Sequence, residues 1–543
     1  MTLISLLLIV GVIFIIAYFT YGRFLEKKMG VDPNRKTPAV EMADGVDYVE
    51  AKKPVLLGHH FATIAGGGPI VGPVSAAVFG WIPAVIWIVL GSIFIGGVHD
   101  YTALQASIRH KAQSIGTIIK EYIGKRGQTL FLAFSVATLI LIVGVFIILV
   151  RDTFVNVPEA ATSSLLFIGL AVLFGILVNQ LRMNFLLASA LGVIAMFVAV
   201  WFGNVFPLHL SGTTWVIILL AYSYIASVLP VWILLQPRDY LNSFLLYGMI
   251  LGAVIGIIFA NPVMKMDGYT GFYNETLGYM FPILFITIAC GAVSGFHSLV
   301  SSGTTAKQLD NEKNGKFITY GGMLLEGFLA VIAIGSVGYL TQAEFTTKLA
   351  ELGGPIPTFS AGVGFLMSHF GIPEVVGTTF VALVASAFLM TTLDSATRLG
   401  KYAVQEFAEG KSKFFSNQHI ATLIIVIGAG ALAVSGTWNK VWPLFGSANQ
   451  MLGAIALLAV SAWLMKKGVN AWFTIIPMIL MFIITLSALS VLIYENIFTG
   501  GSPNYFLAIS AFALLVLCIF LIFEAWNSFT KTKGDKDNPV KAS

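Results

Sequence analysis

Runs of about 18 to 24 apolar residues alternate with short polar segments along the whole chain, and that is the length a helix needs to cross the hydrocarbon core of a bilayer. Fifteen spans are expected on this pattern, at 3–21, 58–79, 81–104, 128–150, 163–180, 184–203, 212–235, 241–260, 280–303, 317–340, 374–397, 420–436, 441–464, 471–492 and 504–525. Lysine and arginine test the count, because one missed or invented span would scramble the basic excess that marks cytoplasmic segments. With the N-terminus outside, 27 of the 31 basic residues fall on the cytoplasmic face, leaving only Arg151, Lys265, Lys348 and Lys440 on the other. The C-terminus is then cytoplasmic. The first run has no basic leader and no small-residue cleavage site, so it is expected to remain as an anchor. Between the spans, residues 26–53 read as a cytoplasmic linker with local helix. Residues 114–125 read as an interfacial helix with Ile115, Ile118, Ile119 and Tyr122 on one face. A run of about twelve apolar residues near 359–370 is too short to span and reads as re-entrant or interfacial.

The second span carries an interruption. Gly58 to Pro73 reads GHHFATIAGGGPIVGP, in which Gly66, Gly67 and Gly68 precede Pro69, a residue without a backbone N–H. A continuous helix is not expected there, and open backbone at bilayer depth is tolerated only where protein or a watery cavity receives it. A simple kink is the rival reading, since glycine and proline are common in membrane helices. The ninth span has its own interruption, ACGAVSGFHSLVSSGTT from Ala289 to Thr305, expected to unwind between Gly291 and Ser302. Within it Ser294, His297 and Ser301 share a helical face, and Ser298 lies beside them. Close packing of small residues explains some of these positions. The second span runs outward and the ninth inward, so the two halves have opposite topology. Paired interruptions in inverted halves point to a secondary transporter with its site near the midplane. The expected division is an anchor and linker at 1–57, a first half at 58–260, a second half with a C-terminal hairpin at 261–530 and a tail at 531–543.

Composition agrees, with 57% of residues hydrophobic and 10% charged, where soluble chains carry roughly 25% charged residues. The fold class is all-α and polytopic, with the lipid bilayer as its first partner. The net charge of +5 is spread between apolar runs, so it reports topology and not a nucleic-acid partner. Cys290 and Cys518 both lie in apolar spans and offer neither a disulfide framework nor a thiol pair at metal-ligand spacing. No phosphate-cradling loop and no HExxH-type zinc motif occurs, so ATP-driven transport, zinc hydrolysis, a bound cofactor and enzymatic function generally lack their usual signals.

Ionisable groups inside the bilayer are costly and invite a functional explanation. Glu326 sits near the middle of the tenth span with no lysine or arginine nearby in sequence, a setting that suits a proton carrier; a permanently protonated hydrogen-bond donor is the alternative. His59 and His60 lead into the first interruption, and His99 and Asp100 lie in the third span. Imidazoles near a carboxylate pass protons near neutral pH. Adjacent helical residues point about 100° apart, however, so His99 and Asp100 are not expected to pair. Asn449 and Gln450 place two amides within the thirteenth span, facing either the substrate path or another helix.

These segments resemble the carbon starvation protein A (CstA) family of bacterial inner-membrane transporters. The resemblance is carried by GHHFATIAGGGPIVGP at 58, GVHDYTAL at 97, LPVWILLQPRDYLN at 229 and CGAVSGFHSLVSSGTTAKQL at 290. GGMLLEGF at 321, TTLDSATRLGKY at 391 and WPLFGSANQMLGAIAL at 442 extend it to near residue 465. It implies uptake of peptides in some members and pyruvate in others during nutrient limitation. It also implies the amino acid/polyamine/organocation architecture, a LeuT-like core of two inverted five-helix units with unwound first helices; a seven-plus-seven repeat stays open. On that template Thr391, Thr392, Asp394 and Ser395 form a conceivable Na⁺ site, while Asp394 and Arg398, four residues apart, form the rival ion pair. Arg238 and Asp239 read as an interfacial pair. The expectation is a secondary transporter for carboxylate-bearing nutrients, driven by H⁺ or Na⁺, with the carboxylate bound by backbone N–H groups near Gly66 to Gly68 and by polar groups of the ninth and thirteenth spans. A passive pore is the alternative from another class.

Overall fold

The computed structural model describes residues 1–44, 48–230, 233–275, 277–435, 438–498 and 503–537. The chain opens with α1 (Leu3–Phe19), which runs almost directly into α2 (Tyr21–Met29), and Gly30 closes α2 in the left-handed conformation at φ 60°. After α3 (Pro38–Glu41) come α4 (Lys53–Ile64) and α5 (Gly68–Ala76), then α6 (Trp81–Gly91) and α7 (Gly97–Arg109), joined through a π turn at Ser92–Gly96. The short α8 (Ile115–Tyr122) leads into α9 (Lys125–Asn156), α10 (Pro158–Asn179), α11 (Phe185–Val205), α12 (Gly212–Val228) and α13 (Leu235–Ala260). An antiparallel pair, β1 (Tyr273–Asn274) and β2 (Gly278–Tyr279), precedes α14 (Met280–Thr287) and α15 (Phe296–Gly303). There follow α16 (Gly321–Gly338), α17 (Gln342–Glu351), α18 (Pro355–Ser368), α19 (Glu374–Ala408), α20 (Gln418–Ser435), α21 (Trp438–Lys466), α22 (Trp472–Phe498) and α23 (Tyr505–Asp537).

Eleven helices among the described residues are long and apolar enough to cross a membrane, and twelve if α4 and α5, bent by 46° at their break, count as one span. The other three of the fifteen expected spans fall on shorter elements. Two are apolar helices of 17 residues, α12 and the Gln418–Val434 part of α20. In α12 the helix stops at Val228 because Pro230 disfavours helical geometry in the residue before it; Val231 and Trp232 of the same motif lie outside the described residues. The third is α14 and α15, eight residues each, separated by an unwound segment.

Helices α9, α19 and α21 form the interior, and α19 is buried along most of its 35 residues. Helix α8 turns its isoleucines onto α9 and α21, so its apolar face is covered by protein and not by lipid. The run expected to be re-entrant is the buried α18, packed against α13, α16 and α19. Helix α17 before it starts with a reciprocal cap between Thr341 and Glu344, whose exposed carboxylate the Thr341 N–H and hydroxyl hold below its ordinary range. The anchor helix continues to Met29, and the linker is pinned down. Thr37 donates to the Leu309 carbonyl, Ala51 N–H donates to Gln308 at 3.0 Å, and buried Glu312 accepts from Arg35, Arg109 and the Asp32 N–H at 3.0–3.2 Å. Helix α23 runs on through the start of the expected tail; residues 538–543 lie outside the described residues.

Candidate functional site

The first interruption separates α4 from α5 at Ala65–Gly67, and Pro69 sits in the first turn of α5, where its missing N–H removes no helical bond. The glycines here serve close approach. A Cβ on Gly66 would lie 2.1 Å from Thr392 Oγ1 and one on Gly68 2.4 Å from Cys290. The second interruption runs from Ile288 to Gly295, upstream of much of the expected stretch, because the serines beyond it tolerate the helix. Ser298 and Ser302 each donate to a carbonyl three or four residues back at 2.7 Å.

Both breaks face one small cavity of about 10 Å³, room for about one water. Gly66, Gly68 and Ile64 line it from the first break, Cys290 and Phe296 from the second, and Thr392 and Asn449 from α19 and α21. The protein is closed around this point. Asn449 also holds the second break, accepting the Phe296 N–H at 2.9 Å and donating to Ser294 Oγ at 3.0 Å. Gln450 donates to the Phe285 carbonyl at 2.7 Å and to that of Ile288 at 3.4 Å, so its amide nitrogen serves the broken backbone.

A chain of buried titratable groups runs through α15 at His297. Asp100 accepts from His99 Nδ1 through one oxygen and from His297 Nδ1 through the other, both at 2.8 Å. His297 Nε2 approaches Glu326 Oε2 at 3.5 Å, and all four side chains are shielded from solvent. The expectation that His99 and Asp100 would not pair is corrected here. Their side-chain torsions close the 100° between their helical directions and turn both groups towards each other. An ionised Asp100 is acceptor-only, so both histidines carry their proton on Nδ1 and leave Nε2 to exchange one; for His297 that nitrogen faces Glu326. The Nε2 atoms of both histidines and both Glu326 oxygens have no hydrogen-bond partner. His60 makes no hydrogen bond to the chain and is bonded through Nδ1 to Thr305 Oγ1 at 2.8 Å.

A second buried cluster joins α4, α12, α13 and α19. The expected Asp394–Arg398 pair does not form: Asp394 is bound by Arg238 of α13 and by the Tyr222 hydroxyl of α12. Arg398 instead reaches back to the Ala226 carbonyl at 2.8 Å, and Lys401 to that of Ser227 at 2.8 Å, where the last carbonyls of α12 need donors. Arg238 and Asp239 do pair, at 3.3 Å, but they are buried and not interfacial, and His59 stands 3.8 Å from Asp239. The four residues of the conceivable Na⁺ site diverge. Thr391 meets Asn242, Thr392 meets Gly66, Asp394 meets Arg238, and Ser395 is partly exposed. Tyr222 and Asn242 carry no site signal of their own in the sequence, because each stands among other polar residues, Ser223 and Tyr224 in α12 and Arg238, Asp239 and Ser243 in α13.

Membrane-length helices, two interrupted segments closing on one point and a buried line of titratable groups define a multi-pass membrane protein with a polar interior. The model of the carbon starvation protein CstA family matches residues 2–352 and 345–488, and the chain belongs to that family. The "Peptide transporter CstA" of Campylobacter jejuni subsp. jejuni is 34% identical over 547 residues, covering 87% of this chain and 78% of its own. The "Pyruvate/proton symporter BtsT" of Escherichia coli K12 is 31% identical over 581 residues, covering 89% and 81%. Among solved structures, a manganese transporter of Eremococcus coleocola aligns over 90% of this chain and 99% of its own, with 11% identity and a TM-score of 0.47.

Proposed function

We propose that this protein is a proton-coupled secondary transporter of a bacterial inner membrane that imports small carboxylate-bearing nutrients, peptides or pyruvate, under carbon starvation. In this reading its N-terminus is outside, its C-terminus is cytoplasmic, its core is the inverted five-plus-five arrangement of the amino acid/polyamine/organocation superfamily, and it carries out no covalent chemistry. The observation that carries the reading is the His99–Asp100–His297–Glu326 chain, whose His297 lies on α15 just past the second break. A proton passed between Glu326 and His297 changes the charge at the start of α15, and Asp100 stays behind as the fixed anion that orients both imidazoles. The first break, whose glycines share the cavity with Phe296 at the start of α15, is thereby exposed to the change in protonation. Among the described residues no lysine or arginine pairs with Glu326, so its carboxyl is free to load and unload. The Na⁺-driven alternative rests on Thr392, whose hydroxyl has no partner beside Gly66, but its carboxylate, Asp394, is already bound by Arg238.

The test is uptake of labelled pyruvate and dipeptide into proteoliposomes under separate H⁺ and Na⁺ gradients. Accumulation that follows the H⁺ gradient and collapses with an uncoupler is expected; uptake that only equilibrates would favour a pore. Glu326→Gln, which mimics the loaded carboxyl, should block uphill uptake and leave counterflow exchange intact. Retained H⁺-driven accumulation in a folded Glu326→Gln protein would remove Glu326 from the coupling.

A further inference from the structure

Arg238 is 3% exposed and its guanidinium is incompletely used. Nη1 meets Asp394 Oδ2 and the Tyr222 hydroxyl, and Nη2 meets Asp239 Oδ1 at 3.3 Å, while Nε has no partner. Asp394 in turn holds Arg238 through one oxygen only, and its Oδ1 is also unpartnered and buried. An arginine fork binds a carboxylate best through two parallel N–H···O bonds, so Asp394 is a poorer partner for Arg238 than a carboxylate free to present both oxygens. The local charge favours an anion over a cation. In the described residues around the end of α12, buried Arg238, Arg398 and Lys401 stand against buried Asp239 and Asp394. The cluster reaches towards the surface on one side, where His59, beside Asp239, is 23% exposed and lies on α4, the half-helix that ends at the first break.

We infer that Arg238 is a carboxylate-binding station beside the α4 half of the transport path, with Asp394 as its internal competitor, so that the carboxylate of a transported substrate takes Asp394's place on the guanidinium. This rests on the carboxylate-substrate reading above and names the residue that would recognise the charge. Tyr222 remains with Asp394 when Arg238 turns away, so the displaced carboxylate keeps one hydrogen-bond donor. The exchange keeps the Arg238 cation paired at both ends of the step, and its cost is a buried Asp394 carboxylate left with the Tyr222 hydroxyl as its donor.

The test measures binding of pyruvate and of its uncharged methyl ester to the purified full-length protein by calorimetry. Asp394→Asn should tighten pyruvate by about tenfold, as expected when a competitor that occupies Arg238 most of the time is removed, and leave the ester unchanged. Tyr222→Phe, which strips the displaced Asp394 of its remaining donor while keeping both charges, should weaken pyruvate by a smaller factor. Because a single charge removal can cost the fold, the neutral double variant Arg238→Gln/Asp394→Asn serves as the second arm and should lose the preference for acid over ester. Unchanged or weaker pyruvate binding by folded Asp394→Asn, or a preference retained by the double variant, would overturn the station. A wild type that binds neither pyruvate nor a dipeptide overturns the substrate reading and the station together; a wild type that binds them while the variants keep its acid-to-ester ratio overturns the station alone.

Discussion

The two broken spans close on the same cavity but are held open differently. Around the second break, α6, the π turn after it and α21 each contribute a tie. Trp442 Nε1 donates to the Thr287 carbonyl at 3.0 Å, Trp87 Nε1 to that of Ile288 at 3.3 Å, Ser92 to that of Gly291 at 3.1 Å, and Asn449 caps the N–H of Phe296. Backbone polar groups freed at bilayer depth are thus satisfied by fixed side chains of α6, α21 and the π turn. The first break has nothing comparable. Among the described residues no side chain hydrogen-bonds the backbone of Ala65–Gly68, and its glycines rest against the side chains of Thr392, Leu389 and Cys290. A segment tied by directional bonds has one arrangement, whereas one held by sliding contacts has several of similar energy. The second break is therefore expected to behave as the scaffold and the first as the moving part.

Methyl groups added to the glycines probe this difference directly. At Gly295 a Cβ would sit 2.2 Å from the Asn449 carbonyl and 2.3 Å from the Gly453 nitrogen, both backbone atoms of α21. Gly295→Ala is expected to cost more than about 3 kcal/mol, the upper end of ordinary overpacking, and to abolish the monodisperse peak in size-exclusion chromatography. At Gly66 the clash is with the end of a side chain that can rotate. Gly66→Ala should fold with a loss nearer 1 kcal/mol on the overpacking scale of about 1–3, while slowing uptake in proteoliposomes. Adding Thr392→Ala removes the Oγ1 contact, leaves only the Cβ at 3.2 Å, and should restore part of the stability. Equal damage at both glycines would erase the distinction between scaffold and moving part.

The glycine and proline content of Gly58–Pro73 carried the first break openly, because three glycines before a proline oppose a helix whatever surrounds them. The second was blurred, since its serines are helix-compatible once they bond to the preceding turn, and only packing against α21 decides where unwinding stops. Glu326 stood out as an isolated carboxyl at membrane depth. Its neighbour His297 and the tie to Asp100 come from three different helices, a convergence that no spacing along one helix reveals. The charged residues of α13 and α19 misled for a similar reason. Arg398 lies four residues from Asp394 and offers a local partner, yet the carbonyls at the end of α12 claim it, and Arg238, some 150 residues earlier, takes the carboxylate.

The smallest expected effect gives the sharpest view of the scaffold. The buried Ile288 carbonyl has two donors, Trp87 Nε1 at 3.3 Å and Gln450 Nε2 at 3.4 Å. Trp87→Phe keeps a ring in place to meet Phe285, whose centroid lies 4.8 Å from the indole, and removes only one donor. It should cost about 0.5–1.5 kcal/mol, the net worth of one neutral hydrogen bond. Gln450→Leu should cost somewhat more, because it also strips the donor from the Phe285 carbonyl. The double variant removes the last donor from a carbonyl that water does not reach, and an acceptor left bare in the interior costs more than either bond was worth. The double-mutant cycle, read by thermal unfolding in detergent, should therefore exceed the sum of the single losses by about 1 kcal/mol, with faster amide exchange at 288–296 and no change at 65–68. Strict additivity would mean that the Ile288 carbonyl does not depend on these two donors, and the second break would then owe its fixed shape to packing, as the first does.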